Sequence, residues 1–321
     1  MRELTCIQAA HEGLKTEISL DKNVYLMKKE QYSDKKNSDN SNNDSYKNDK
    51  VVNMPKSEAT IVSTATGLAL TGLRPVIEFN RMEDIFLSFS ALVDQAAKLR
   101  YMSGGELMFP ITYLCAEESV CKNNDGLHSE NPYSFLIHGG MKVVVPSNAY
   151  DAKGLLVSAI RDNDPVAVFL PAIIRSEKGD VPEDQYSIPM GKAEIKKTGS
   201  DITVVATGHC VNIALAVAKK LEADKISVEV FDPRTLFPFD KETLKESVSK
   251  TGRVVIMDDS PRACGFASMV SSILMEEYYE YLKKPILRIT REDIPVPFSN
   301  ALKKYVLPDG EKLESAIRKI I

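Results

Sequence analysis

The 45 acidic side chains and four histidines, Glu58 in MPKSE and His128 in LHSE among them, are of types able to hold or relay a proton, and type alone singles out neither. A carboxylate or an imidazole does general acid–base work once a reacting group lies within hydrogen-bond reach. Each also has a plainer reading. Glu58 opens an Ala- and Thr-rich stretch with helical character, where the macrodipole favours a carboxylate whatever the function. A single histidine is commonly a packing or surface residue. The other histidines, His11, His138 and His209, show no metal-ligand spacing. The five cysteines (Cys6, Cys115, Cys121, Cys210 and Cys264) are scattered without a CxxC pair. That pattern argues against a disulfide framework or a zinc knuckle, and for small residues in or near the core. Neither of the phosphate-loop patterns GxxxxGK(S/T) and GxGxxG occurs. AIRDNDP, at residues 159–165, reads as a helix end and turn, with Asp and Asn in their usual places.

Positioning such residues requires a scaffold, and the composition is that of a globular one. The chain has 321 residues, 43% of them hydrophobic and 27% charged, which predicts about two domains. A net charge of −4 offers no polycation for a phosphate backbone, so nucleic acid is excluded as a partner class. No run of about eighteen apolar residues is present, so no membrane span is expected. The first residues carry neither a signal-peptide core nor a transit pattern, and a cytoplasmic location is expected.

Periodicity predicts a helix over Leu4–Ile18, with Thr5 near its start, and a buried strand over Asn23–Met27. Residues 28–50 (KKEQYSDKKNSDNSNNDSYKNDK) lack any aliphatic side chain and read as a disordered, solvated insertion. Helices are then expected over Glu58–Thr71, Ile85–Arg100 and Ala152–Arg161, with strands over Arg74–Phe79, Pro110–Cys115, Lys142–Pro146 and Val166–Leu170. The polar stretch between Arg175 and Pro189 marks a boundary, giving domains over 1–180 and 186–321. Beyond it, strands over Ile202–Ala206, Ser227–Asp232, Arg253–Asp258 and Pro285–Ile289 alternate with helices over Val211–Ala223, Lys241–Lys250 and Phe266–Leu282. Charged runs at 240–250 and 311–319 read as solvated helix faces. Alternation of β-branched strands with helices means parallel sheets covered on both faces, so the fold class is α/β, with two three-layer domains.

Several strings, in order, carry a resemblance: IQAAHEGLKTEI, MPKSEATIVSTATGLALTGLRPVIEF, PSNAYDAKGLLVSAIRDNDP, VEVFDPRTLFPFD, KTGRVVIMDDSPR and the closing PVPFSNALKKYVLPDGEKLESAIRKII. Over nearly its whole length the chain resembles the β subunits of thiamine-diphosphate-dependent 2-oxoacid and acetoin dehydrogenases, nearest to the acetoin and pyruvate branches. The resemblance implies a transketolase-like pyrimidine-binding domain followed by a transketolase C-terminal domain. It implies two β chains assembled with two α chains, including a β–β contact, with the α chain holding the diphosphate and Mg²⁺. It also implies a lipoyl acyltransferase core as acyl acceptor.

Residue by residue, the family's TPxxE segment corresponds to MPKSE here, and places Glu58 against the aminopyrimidine ring. A Glu proton shared with the ring nitrogen favours the imino tautomer that deprotonates the thiazolium carbon. LHSE corresponds to QHSQ and gives His128 a role in acyl transfer, with Ser129 kept and Leu127 and Glu130 in place of the glutamines. The family's GEDV corresponds to Met27, Lys28, Lys29 and Glu30, where cations would oppose a protonated pyrimidine. Asp84 stands where the family has an aromatic residue stacked on the pyrimidine, and AEESVCKNND (116–125) replaces a glycine-rich approach. The carbonyls of a structural K⁺ site correspond to Ile111, Ala159, Ile160, Asp162 and Asp164. The expected function is a dehydrogenase β subunit, active with its α partner. A catalytically impaired pseudoenzyme acting as scaffold or regulator is the alternative, and a transketolase or deoxyxylulose-phosphate type of enzyme ranks last.

Overall fold

The computed structural model of the chain describes residues 1–29, 48–116 and 130–321. The first half contains β1 (Arg2–Thr5), α1 (Cys6–Leu20), β2 (Val24–Lys29), β3 (Val51–Met54), α2 (Glu58–Leu70), β4 (Arg74–Phe79), α3 (Lys98–Met102), β5 (Thr112–Ala116), α4 (Tyr133–His138), β6 (Lys142–Val144), α5 (Ala149–Arg161), β7 (Val166–Leu170), α6 (Ala172–Arg175) and β8 (Lys178–Val181). The second half contains β9 (Glu194–Lys197), β10 (Ile202–Ala206), α7 (His209–Leu221), β11 (Val228–Asp232), β12 (Thr235–Phe237), α8 (Lys241–Thr251), β13 (Val254–Pro261), α9 (Phe266–Glu277), β14 (Leu287–Arg291), α10 (Asn300–Val306) and α11 (Gly310–Ile320).

Two compact units result. One holds the described residues of Met1–Ser119 with Phe135–Val144 and Asn148–Pro189, and the other those of Val120–Ser134 with Val145–Ser147 and Met190–Ile321. In the first unit the strands β6, β7, β5, β4, β2 and β3 lie side by side, all parallel. Every residue of β5 and β7 is buried, as continuous apolar strands in a sheet covered on both faces must be. In the second unit the order is β14, β13, β10, β11 and β9; the first four are parallel, and β9 is an antiparallel edge. Val204, Val230 and Val255 of that sheet pack with Leu313, Ile317 and Ile320, which recur on one face of α11.

Several boundaries differ from the sequence reading, each for a local reason. Thr5 does not lie inside the first helix but caps it: its side chain accepts from the Gln8 amide, while the Gln8 side chain accepts from the Thr5 amide. Leu4 therefore falls in β1, which pairs antiparallel with β8 inside the polar 175–189 stretch. That stretch is bound into the first unit, which runs to Pro189. The expected helix over Ile85–Arg100 is a 3₁₀ segment (Met82–Ser88), a π-helical one (Ala91–Ala97) and the short α3. Ser88 Oγ donates to the Ile85 carbonyl, a local side-chain-to-backbone bond that competes with a regular ladder. Finally, β2 continues through Lys29, and residues 48–50 form a 3₁₀ turn leading into β3, so both ends of the expected 28–50 insertion belong to regular elements. Its remaining part, 30–47, lies outside the described residues.

Candidate active site

Three elements of the first unit end at the same edge of the sheet. β2 closes on Lys29, β3 leads through Pro55 to the start of α2 at Glu58, and β4 leads to the 3₁₀ segment that carries Asp84. In a parallel sheet the carboxyl ends of the strands form the crevice where ligands bind. Here they bring one ammonium group between two carboxylates. Lys29 Nζ donates to Glu58 Oε1 at 2.9 Å and makes a short contact with Asp84 Oδ2. The three side chains are 12–14% exposed, so water screens the cluster only in part. Partial burial works against charge on Glu58, yet the hydrogen bond and charge of Lys29 outweigh it and hold that carboxyl below its ordinary range. On Lys29 burial again opposes the charge, and the bonds to Asp84 and Glu58 overcome it, so the ammonium holds its proton more tightly than usual. Cys115, buried behind the cluster on β5, is pushed up by burial and then by Asp84 and Glu83, and is a thiol rather than a nucleophilic thiolate.

Strand alternation separates the two lysines that the sequence reading treated together. Lys28 points to the opposite face of the sheet. There its Nζ meets Glu78 Oε2 at 2.9 Å, and His11 of α1 meets Glu78 Oε1 at 2.7 Å. Burial would raise the Glu78 carboxyl, but His11 and Lys28 pull it down to about 2. Only Lys29 shares a face with Glu58. Sequence reasoning assigned no role to His11 or Glu78. A charged residue inside the otherwise apolar RPVIEF strand was the available signal.

The structure therefore brings Glu58 and Asp84 together. His128, with Ser129, lies outside the described residues. The five carbonyl positions read as a potassium site gather around the bend after α5. Ile111 O accepts from Val166 N at 3.0 Å, and Ala159 O from Asp162 N at 3.2 Å. Arg74 Nη1 donates to Ile160 O at 3.2 Å and to Asp162 O at 2.8 Å, while its Nη2 reaches Asn163 Oδ1 at 2.7 Å. Lys142 Nζ lies 2.8 Å from the Asp162 carboxylate and 2.9 Å from that of Asp164, which Arg100 also contacts. Arg74 and Lys142 thus hold this bend together, and neither had been singled out from the sequence. Among the described residues, no group of three or more His, Cys, Asp or Glu side chains is placed to hold a metal ion. None of the described helices is long and apolar enough to cross a membrane.

Comparison with known proteins gives this arrangement a context. The transketolase pyrimidine-binding domain family matches residues 2–174, and the transketolase C-terminal domain family matches residues 191–313. The acetoin:2,6-dichlorophenolindophenol oxidoreductase subunit beta of Bacillus subtilis is 40% identical over 273 residues, covering 85% of this chain and 80% of that protein. The 2-oxoisovalerate dehydrogenase subunit beta of the same organism is 37% identical, covering 84% of each chain. Its pyruvate dehydrogenase E1 component subunit beta is 35% identical, covering all of this chain and 99% of its own. A solved structure described as a split-gene transketolase, an inactive beta4 tetramer, superposes with a TM-score of 0.81 at 22% identity, covering 98% of this chain and 97% of its own, and shows the shared fold. With both domains matched and Glu58 standing at the carboxyl edge of the first sheet, the chain belongs to the transketolase-like family of pyruvate, 2-oxoisovalerate and acetoin dehydrogenase β subunits.

Proposed function

We propose that the chain is the β subunit of a thiamine-diphosphate-dependent 2-oxoacid or acetoin dehydrogenase. It would work in the cytoplasm in a tetramer of two α and two β chains and pass its acyl product to a lipoyl acyltransferase core. The observation that carries this reading is Glu58, a carboxylate at the head of α2 within a domain of the pyrimidine-binding family. Its Oε1 is bonded to Lys29 and the carboxylate also takes a backbone N–H, so a ring nitrogen would compete with partners already present. A carboxylate at this helix start fits an aminopyrimidine by type and place, with Lys29 as the competitor. When bound, thiamine diphosphate supplies the nucleophilic thiazolium carbon on which this chemistry depends. This chain's part is to orient the ring and to share a proton at the Glu58 oxygen. The diphosphate and Mg²⁺ fall to the α subunit, in keeping with the absence here of the two familiar phosphate-loop patterns.

Purifying the protein with its native partners tests the reading. Bound thiamine diphosphate, an α chain, and dye reduction dependent on a 2-oxoacid or acetoin are expected. An intact complex that contains the α chain but neither cofactor nor turnover would reject it in favour of the scaffold alternative.

We also propose that the carbonyls of Ile111, Ala159, Ile160, Asp162 and Asp164 hold a potassium ion. Ile111 and Ala159 each accept a backbone N–H and keep a second lone pair, whereas Ile160 and Asp162 accept from the Arg74 guanidinium, a cation the ion would have to displace or lie beside. An ion that binds only the folded state stabilises it by mass action. The melting temperature should therefore be higher in potassium than in choline chloride at equal ionic strength, and equal values would remove the ion from the proposal.

A further inference from the structure

Lys29 has no counterpart in the function just proposed, yet it is the most heavily engaged side chain of the site. It sits on the last residue of β2, on the face shared with Glu58, and bonds the carboxylates of both Glu58 and Asp84. Lys56 adds a second, more distant positive influence on Glu58, and Glu83 lies beside Asp84 in the same 3₁₀ turn. Two carboxylates that can share one ammonium group are near enough to repel each other without it. The cluster is therefore complete in the absence of any ligand, and its positive member is tied to the group proposed to meet the pyrimidine nitrogen.

We propose that Lys29 is a displaceable internal counter-ion of the pyrimidine site. While no ligand is bound it clamps Glu58 to Asp84, and it must loosen from Glu58, keeping Asp84, for Glu58 to take a ring nitrogen. This inference rests on the reading of Glu58 given above. Its consequence has a definite sign. Part of the binding energy of an aminopyrimidine would be spent on parting Lys29 from Glu58. Removing the Lys29 charge should strengthen cofactor binding while weakening the cofactor-free fold. An ordinary structural residue would move both in the same direction. Asp84 acts in the opposite sense: it gives Lys29 a place to go, so neutralising it should fasten Lys29 to Glu58 alone.

The experiment uses the full-length chain purified with its α partner, with thiamine diphosphate and Mg²⁺ as the probe. Affinity is measured by titration calorimetry, and melting temperature is measured without cofactor. Lys29→Met should tighten binding roughly tenfold, the equivalent of one charged hydrogen bond no longer broken, and should lower the cofactor-free melting temperature. Lys29→Arg should restore both values toward wild type, and Asp84→Asn should weaken binding. Lys29→Gln gives a second neutral variant if the methionine form does not fold. Affinity unchanged or reduced in both neutral variants would overturn the role of Lys29 and leave the function intact. An α-containing complex in which wild type and every variant all fail to bind would overturn the functional reading itself, and the clamp with it.

Discussion

Glu58→Gln in the assembled complex should reduce dehydrogenase turnover by roughly 10²–10⁴-fold, the usual worth of a positioned acid–base group, with assembly and melting temperature little changed. The substitution keeps the shape of the side chain at the head of α2, and the amide oxygen can still accept from Lys29 Nζ, now 2.9 Å from Glu58 Oε1. Lys29 also keeps Asp84, so no cation is left stranded in the site. What disappears is a carboxyl that can gain and lose a proton beside a ring nitrogen. Lys29 already biases Glu58 toward the anion, so the wild-type group shares a proton less readily than an unpaired carboxyl would. The remaining acid–base capacity is what the amide removes. Activity within a few-fold of wild type, in a variant that assembles normally, would show that Glu58 is only a helix-start carboxylate favoured by the macrodipole. A variant that fails to assemble would place Glu58 in the fold rather than in the chemistry.

Legibility in the sequence followed from how local each signal was. β10, β11 and β13 were visible as short β-branched runs, and α5, α7 and α8 as periodic stretches, because each buries a continuous face. β1 and β8 were missed because their pairing joins residues far apart in the chain across a polar segment, and neither reads as apolar alone. The 3₁₀ and π segments over 82–97 carry helical apolar spacing but depart from α geometry, in the first case with Ser88 Oγ on the Ile85 carbonyl, which the spacing cannot report. Glu58 was legible through MPKSE and Asp84 through its departure from the family pattern, yet their common partner was not. Which of Lys28 and Lys29 faces Glu58 depends on β2 running on to residue 29, and the composition of 28–50 had suggested that order ended before it. Arg74 and Lys142 went unnoticed for a similar reason: each acts across the sheet on a bend about 20 to 90 residues distant in sequence.

Lys153→Met should lower the melting temperature of the first unit by roughly 6–12 °C, corresponding to about 3 kcal/mol for a domain of this size. Lys153 lies in the apolar face of α5, near Ala149, Leu156 and Ile160, and is fully buried. A lysine at such a position was itself a readable signal that its ammonium must be met by acceptors. The structure supplies them. Nζ donates to Glu12 Oε1 at 2.9 Å, Pro182 O at 2.9 Å and Asp184 O at 3.0 Å, with Glu183 O at 3.4 Å and the Tyr186 ring centroid at 5.2 Å. One side chain thereby ties α1, α5 and the segment after β8. Methionine fills similar volume but donates nothing, leaving inward-turned carbonyls and one Glu12 oxygen unsatisfied. Gly13 lets this packing form, since a Cβ there would come within 3.2 Å of Lys153 Cγ and Val157 Cγ2. Lys178→Ala is the matched control. Its ion pair with Glu3 is more than 60% exposed on both sides and should be worth less than about 1 kcal/mol. If Lys153→Met melts no earlier than Lys178→Ala, the carbonyl cage contributes no more than an ordinary surface pair, and the segment after β8 must be held by Gln185 and Ser158, which bond Gly13 O and Ile188 O.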